Sequence, residues 1–254
     1  MFSKSQKKHI ASLSQKKYRD EAQQFVVEGE KSVAELLVSD IELVGIYHTK
    51  TYAVPPFASK FSVEISEVEM SQISNLKTPG QVLAVARIPR YEPDPQSLLN
   101  SLTIMLDGVQ DPGNMGTIVR LCDWFGIRTI VCSPGTADVY GPKVVQASMG
   151  SAFRVKICYM QPIPLLELLQ TANLDIYGTF LEGENIYRSP LYPKGLIIMG
   201  NEGHGISPDV AGFVSRKLYI PRDVSDGNKT ESLNVASATA IVMSEFRRSR
   251  LKYL

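Results

Sequence analysis

The chain has 254 residues, of which 44% are hydrophobic and 21% are charged. This balance is that of an ordinary globular protein, and the length suits one large domain or two small ones. No run approaches the roughly eighteen apolar residues of a membrane span, and the basic start lacks the apolar stretch of a secretory signal. We therefore expect a cytoplasmic protein with no membrane association. Cys122, Cys132 and Cys158 form no CxxC pair, which favours buried thiols over a disulfide framework or a metal site.

Charge is unevenly distributed although the net charge is only +1. The first nineteen residues contain no acid and carry the basic side chains Lys4, Lys7, Lys8, Lys16, Lys17 and Arg19. A second basic cluster closes the chain with Arg247, Arg248, Arg250 and Lys252. Such clusters suit a phosphate backbone, but solvated helix faces look the same. Charge alone therefore does not establish nucleic-acid binding.

The first half of the chain alternates helix and strand patterns. The predicted elements are a helix over 4–20, a strand over 24–27, a helix over 28–38, strands over 42–47 and 61–65, a helix over 66–74 and a strand over 82–86. Three prolines between Ile88 and Pro95 then interrupt regular structure. We therefore predict a domain over residues 1–88 and a linker over 89–98.

The second half repeats strand and helix more clearly. The predicted strands are 102–106, 128–132, 154–159, 174–179, 196–199 and 217–220, and the predicted helices are 114–125, 164–171 and 232–248. This alternation predicts an α/β fold with a mostly parallel sheet covered on both faces. In the last helix, the spacing of Leu233, Ala236, Ala240 and Met243 predicts one buried face.

Three glycine-rich polar clusters follow predicted strands, where parallel sheets bind their ligands. They comprise residues 107–120, residues 200–205, and Ile220-Pro221 with the later run 231–234. The glycine spacing fits neither the dinucleotide fingerprint nor a phosphate-binding P-loop, and no nucleophile elbow is present. The sequence therefore indicates a ligand site of another kind.

Several side chains in these clusters could be functional or merely structural. Arg120 lies six residues after Asn114, and we expect the two to project from roughly the same side of a helix. Alternatively, Asn114 caps that helix and Arg120 is a solvated arginine. Glu202, Ser232 and Asn234 could equally be helix-capping residues. These structural readings leave unexplained why three such clusters follow three strands.

The clusters form an ordered set of motifs. Asn114-x-Gly116-x-x-x-Arg120 comes first, Ile198-Met-Gly-Asn-Glu-Gly203 second, and Ile220-Pro221 with Ser232-Leu-Asn-Val235 third. In this order the second half resembles the SpoU (TrmH-type) branch of the SPOUT RNA methyltransferases. The first half is similar to the L30e-like substrate-binding domain of that family, through Leu13–Arg19, Phe25–Gly29 and Ile73–Gln81.

The resemblance implies an architecture and an activity. Residues 1–88 would form an L30e-like RNA-substrate-binding domain, and residues 99–254 a methyltransferase domain with a deep C-terminal trefoil knot. The protein would be a homodimer through the C-terminal domain. It would transfer a methyl group from S-adenosylmethionine (SAM) to a ribose 2′-hydroxyl of structured RNA, with 23S rRNA as the expected target. A tRNA target, and a non-catalytic RNA-binding or ribosome-assembly protein on the same fold, are the alternatives.

The resemblance also assigns residues. The implied catalytic residues are Arg120, Asn114, Glu202, Ser232 and Asn234. The implied SAM-binding residues are Thr179, Met199, Gly200, Gly203, Ile220, Ser232 and Leu233. RNA would contact Lys7, Lys8, Lys16, Lys17 and Arg19, and no metal is expected. One departure stands out, because Arg222 follows Pro221 and the loop Arg222–Thr230 is longer than usual, which would reshape the cofactor lid.

Overall fold

The structure is a computed structural model that describes residues 2–223 and 232–250, so most of the long loop Arg222–Thr230 and the basic residue Lys252 lie outside it. The helices are α1 (Lys4–Ser12), α2 (Lys16–Ala22), α3 (Glu30–Leu37), α4 (Glu67–Ile73), α5 (Pro95–Asn100), α6 (Pro112–Phe125), α7 (Pro142–Ser148), α8 (Pro162–Thr171), α9 (Pro208–Ala211) and α10 (Val235–Arg250). The strands are β1 (Gln24–Glu28), β2 (Leu43–His48), β3 (Ser62–Glu64), β4 (Val82–Arg87), β5 (Leu102–Asp107), β6 (Thr129–Cys132), β7 (Lys156–Tyr159), β8 (Ile176–Asn185), β9 (Gly195–Gly200) and β10 (Arg216–Tyr219).

The chain divides into two compact units. The first contains the residues up to Arg90 together with Asp138–Arg154, and the second contains Tyr91–Ala137 and the chain from Val155 onward. The sequence analysis placed residues 138–154 in the C-terminal domain, since nothing in their composition sets them apart. The assignment of binding and catalytic roles to the two predicted domains stays a prediction.

The first unit is built on a four-stranded sheet in the order β1-β4-β2-β3. Strand β4 runs antiparallel to both β1 and β2, and only β2 and β3 pair in parallel. A mostly parallel sheet was predicted only for the second half of the chain, and the sheet of this first unit is mixed. Alternating strands and helices fix neither the order nor the direction of strands, and here the last strand returns between the first two.

The predicted long helix over 4–20 is interrupted. Helix α1 ends at Ser12 and α2 begins at Lys16, with fully buried Leu13 between them. The hydroxyls of Ser12 and Ser14 donate to the carbonyls of His9 and Ala11, at 2.6 and 2.8 Å. Serine side chains that bond the backbone in this way compete with helix continuation. Charge patterning alone did not reveal this break.

The segment Asp138–Arg154 packs into the first unit through α7 and aromatic contacts. The ring of Phe25 on β1 lies 4.7 Å from the ring of Tyr140 and 6.2 Å from that of Phe153, between centroids. Arg19 is only 4% exposed, and its guanidinium forms an ion pair with Asp138 at 2.7 Å. It also donates to the carbonyls of Leu13 and Ser14. Arg19 thus fastens this segment to the helical start of the chain.

The second unit is built on a six-stranded sheet in the order β10-β8-β9-β5-β6-β7. Every neighbouring pair in it is parallel, which confirms the predicted α/β class and parallel sheet. Strand β9 is buried at every position, as expected of a central strand covered on both faces. The knotted topology that the resemblance implies stays a prediction.

Several helices begin with a proline that the sequence pattern did not identify as a helix start. Helices α5, α7 and α9 were not predicted, and each begins with a proline in its first turn. Proline is favoured there because the first turn leaves its backbone N–H groups without helical partners. Asp94 completes the start of α5 by accepting from the N–H groups of Gln96 and Ser97.

The last helix differs from its prediction at its start. Ala236 and Met243 are buried as predicted, but α10 begins at Val235, and Leu233 precedes it with 49% of its surface exposed. The side chain of Asn234 accepts from the N–H groups of Ala236 and Ser237 and so begins the helix. Leu233 therefore does not belong to the buried face.

We expect Arg19→Ala to destabilise the first unit by about 3 kcal/mol, because it leaves the Asp138 carboxylate without its buried partner. Urea unfolding followed by hydrogen exchange at residues 138–154 measures both the stability and the release of the segment. The matched control is Arg87→Ala, which removes an exposed pair with Glu42 at 3.7 Å and is expected to cost under about 1 kcal/mol. Equal costs for the two variants would contradict the role given to Arg19.

Candidate active site at the carboxyl ends of the parallel strands

The three sequence motifs meet in the second unit at the carboxyl edge of its sheet. Strands β5 and β9 are paired along their whole length, so that Asp107 lies opposite Gly200 where both strands end. Strand β8 pairs with β9 and β10 on the other side. The loops that follow β5 and β9, and the chain after β10, therefore leave the sheet from one edge.

A buried carboxylate ties these strand ends together. Asp107 is 7% exposed and accepts a hydrogen bond from the hydroxyl of Ser133 and another from the backbone N–H of Ser207, each at 2.8 Å. The N–H of Gly108 donates to the hydroxyls of Ser133 and Thr136, at 3.0 and 3.2 Å. The loops after β5, β6 and β9 thus share one set of hydrogen bonds. The sequence analysis missed Asp107, although an acid that ends a fully apolar strand is a recognisable signal.

The loop after β9 is a tight turn closed on itself. The side-chain oxygen of Asn201 accepts from the N–H groups of Gly203 and His204, and its amide donates to the carbonyl of Gly108 at 2.7 Å. The backbones of Asn201 and Gly205 also pair with each other. A Cβ atom at Gly200 would collide with the backbone of Gly205 and Ile206. Glycine is therefore required at position 200 by the backbone that folds over it.

A chain of side-chain hydrogen bonds joins all three motifs. The carboxylate of Glu202 accepts from the side-chain amide of Asn114 at 3.0 Å and from the N–H groups of Gln110 and Asp111. The oxygen of Asn114 accepts in turn from the side-chain amide of Asn234 at 2.9 Å. Each motif contributes one of the three side chains Asn114, Glu202 and Asn234, so none of them is only a local helix cap.

These hydrogen bonds set the ionisation of Glu202. Burial is the largest single influence and opposes the charged form, but the hydrogen bonds from Asn114 and from backbone N–H groups together outweigh it. The pKa of Glu202 is therefore lowered from its usual value. An ionised carboxylate with a lowered pKa is a poor proton acceptor and a good anchor for donors.

Arg120 is not part of this chain of hydrogen bonds. It is exposed on α6, and within residues 2–223 and 232–250 it forms no hydrogen bond or ion pair. The expectation that it projects from the same side as Asn114 was wrong, because six residues turn a helix by about 600°, roughly 120° short of two full turns. Arg120 is thus exposed and unpaired among the described residues, while the side-chain amide of Asn114 donates to Glu202.

Most of the predicted cofactor positions share the same edge of the sheet. Gly200 ends β9, Ile220 follows β10, and Thr179 lies on β8 with its hydroxyl donating to the carbonyl of Ile198. Met199 is buried, Gly203 is exposed in the tight turn, and Ser232 and Leu233 are exposed just before α10. The region offers apolar side chains, a hydroxyl and backbone groups. Within the described part of the chain no cluster of three or more His, Cys, Asp or Glu side chains could hold a metal ion.

The predicted RNA-contacting residues of the first unit fall into three classes. Lys8, Lys16 and Lys17 are exposed. Lys7 is partly exposed and pairs with Glu69 at 2.7 Å. The prediction for Arg19 was wrong, because its guanidinium is buried and fully engaged by Asp138 and two carbonyls. A basic side chain in a lysine-rich run can serve the fold instead of a ligand, and sequence charge does not separate the two.

No helix in the described residues is long and apolar enough to cross a membrane.

Residues 4–84 match the family described as the MRM3-like substrate binding domain. Residues 101–244 match the SpoU rRNA Methylase family.

One relative and two solved structures match nearly the whole chain. The 23S rRNA (guanosine(2553)-2′-O)-methyltransferase RlmP of Bacillus subtilis is 31% identical over 250 residues, which cover 96% of this chain and 97% of that protein. A TrmH-family structure from Porphyromonas gingivalis is 40% identical with a TM-score of 0.86, covering 98% of this chain and 99% of that one. An AdoMet-bound rRNA methyltransferase from Sinorhizobium meliloti is 27% identical with a TM-score of 0.83, covering 95% and 94%. Together with the motifs assembled at the sheet edge, these matches establish that the chain belongs to the SpoU rRNA methylase family of SAM-dependent RNA methyltransferases.

Proposed function

We propose that this protein transfers a methyl group from SAM to a ribose 2′-hydroxyl of 23S rRNA. The observation that carries the proposal is the hydrogen-bonded chain Glu202–Asn114–Asn234, which assembles all three family motifs at one edge of the sheet. The named relative RlmP acts on 23S rRNA at a ribose 2′-hydroxyl, which favours rRNA over the tRNA alternative. A non-catalytic RNA-binding protein would have no need for this assembly.

SAM supplies the methyl group on a sulfonium, which is already a good leaving group. The candidate binding residues are Thr179, Met199, Gly200, Gly203, Ile220, Ser232 and Leu233. Their mixture of apolar side chains and backbone groups fits an adenosine moiety, which pockets hold by apolar contact and a few polar groups. The required glycine at position 200 supports a close approach of backbone to ligand at the end of β9.

Arg120 is proposed to act on the RNA. A guanidinium stays charged in proteins, so it is unsuited to take the proton of the hydroxyl. It is suited to clamp the phosphate next to the target ribose and to stabilise the oxyanion that develops as the 2′-oxygen attacks. Its exposed position on α6, without a protein partner in the described residues, supports this role.

Glu202 is proposed as a positioning residue that acts through Asn114. Its carboxylate holds the amide of Asn114, and Asn114 holds Asn234 at the start of α10. The Asn114 and Asn234 side chains would then orient the ribose, and Ser232 would complete the pocket beside them. Because alignment of the hydroxyl with the methyl carbon is the main requirement of this reaction, such positioning contributes directly to the rate.

The first unit is proposed to capture the RNA. Exposed Lys8, Lys16 and Lys17, and to a lesser extent Lys7, would contact phosphates through sequence-independent charge attraction. Homodimerisation through the second unit and a cytoplasmic location belong to the same proposal. Sedimentation of the purified protein measures the first of these directly.

The proposal is tested by the transfer of a radiolabelled methyl group from SAM to 23S rRNA that lacks the modification. We expect label in ribose 2′-oxygens, and Arg120→Ala should lower kcat at least about 100-fold while SAM still raises the melting temperature. Arg128→Ala is the control, since this exposed arginine is only loosely paired with Asp123 at 3.9 Å. Wild-type protein that is stabilised by SAM but labels no RNA would overturn the proposed activity.

Glu202→Gln should reduce methyl transfer about 10- to 100-fold, because the amide cannot accept from all three donors as the carboxylate does. The lowered pKa places the titration of Glu202 below its ordinary range, so the wild-type carboxylate is ionised throughout pH 6–9. The wild-type to variant rate ratio should therefore be constant over that window. A ratio that rises with pH across this window would contradict the role of Glu202 as a carboxylate that is already ionised and only positions Asn114.

A further inference from the structure

A second surface of the first unit has the composition of a nucleotide-binding site. It is the segment His48–Phe61, which joins β2 to β3. No acid occurs between Leu43 and Val63, whereas Lys50 and Lys60 are present. The same segment carries the rings of His48, Tyr52, Phe57 and Phe61. It lies outside the lysine-rich start of the chain, and nothing proposed above uses it.

Phe57 is held outward by a rigid local structure. Residues Pro56–Phe61 form a 3-10 helix in which Ala58 is 1% exposed and Phe57 is 65% exposed. Pro55 and Pro56 restrict the backbone before it, and the hydroxyl of Ser59 donates to the carbonyl of Pro56 at 2.8 Å. Because the backbone at Phe57 is already ordered, a ligand that covers the ring restricts only its two side-chain torsions.

A positive charge accompanies this ring. A 3-10 helix has three residues per turn, so that Phe57 and Lys60 project from the same face. The ammonium of Lys60 lies 4.9 Å from the centre of the Phe61 ring. The helix therefore carries an exposed aromatic ring at Phe57 and, one turn further on, a lysine whose ammonium lies over the neighbouring Phe61 ring.

Two further rings of the segment lie near each other. Those of His48 and Tyr52 lie 6.2 Å apart. Burial, with a smaller contribution from Glu30, raises the pKa of Tyr52, so its phenol stays neutral at physiological pH. Tyr52 thus adds no negative charge to the segment.

We propose that Phe57 and Lys60 form a docking site for an unpaired nucleotide of the RNA substrate, with the base stacked on the Phe57 ring and a phosphate on the Lys60 ammonium. Proteins recognise single-stranded RNA by stacking exposed bases on aromatic side chains beside cations that track the backbone. The absence of acids between residues 43 and 63 favours an anionic partner over an apolar protein surface. The inference rests on the proposed RNA-directed function and names the structural class of RNA that the first unit captures.

The test is fluorescence anisotropy of a short, unstructured, labelled RNA oligonucleotide titrated with the full-length protein. Phe57→Ala should weaken binding at least about fivefold, the lower end of the effect of removing a stacked aromatic ring. Phe57→Tyr keeps a ring and should bind as wild type does. Val68→Ala is the control, because Val68 is an exposed apolar residue of the same unit, 67% exposed.

Phe57→Leu separates base stacking from simple apolar contact. It keeps most of the apolar surface but has no aromatic face, so we expect it to bind as weakly as Phe57→Ala. Lys60→Ala should weaken binding and reduce the slope of log affinity against log salt by about one phosphate contact. Wild-type affinity in Phe57→Ala or in Phe57→Leu would overturn the proposal, and so would tighter binding of a duplex of equal length.

The outcomes of this test are distinct from those of the methyl-transfer assay. If the wild-type enzyme transfers methyl groups but Phe57→Ala binds RNA with unchanged affinity, the enzymatic function is supported and the nucleotide site is refuted. If binding of the oligonucleotide depends on Phe57 but no methyl transfer is detected, the nucleotide site is supported and the enzymatic function is refuted. In an active enzyme, Phe57→Ala should raise KM for RNA and leave kcat and the SAM-induced rise in melting temperature unchanged.

Discussion

The carboxylate of Asp107 is the constraint on which the architecture of the site depends. A parallel sheet delivers loops to one edge, but it does not fix how loops from different strands meet there. Asp107 joins the end of β5 to Ser133 after β6 and to Ser207 in the chain after β9. Because it is buried, each of its hydrogen bonds is costly to lose. The loops that carry the first two motifs are thereby held as one structure.

The polar side chains that lie on these loops fall into two groups, one hydrogen-bonded and one not. The backbone N–H groups of Gln110 and Asp111 fix the carboxylate of Glu202, which in turn fixes Asn114. Asn114 then fixes the start of α10 through Asn234. Arg120 is outside this hydrogen-bonded chain and has no partner in the described residues. Its guanidinium is therefore available for the phosphate contact proposed above. In the proposed mechanism, positioning and charge stabilisation therefore fall to different side chains, which mutations can separate.

The sequence predicted the class of fold and the three motifs that meet at the carboxyl ends of the strands, because strand patterns and motif order are local signals. The roles given to the individual residues stay predictions. The sequence could not predict what depends on distant partners. The burial of Arg19 requires Asp138, which lies 119 residues away, and the position of residues 138–154 in the first unit follows from such contacts. The strand order of the first sheet and the role of Asp107 are likewise non-local. The position of Arg120 relative to Asn114 differs for another reason. Six residues turn a helix about 120° short of two full turns, so this spacing does not place the two side chains on one side.

The most direct test of the assembled site is a double-mutant cycle of Asn114→Ala and Asn234→Ala, with methyl transfer to 23S rRNA as the readout. If the two side chains act as one hydrogen-bonded unit, the second substitution should cost little after the first, with a coupling free energy of about 1 kcal/mol or more. Effects that add to within about 0.5 kcal/mol would mean that the two motifs act independently, and would contradict the account of a single assembled site.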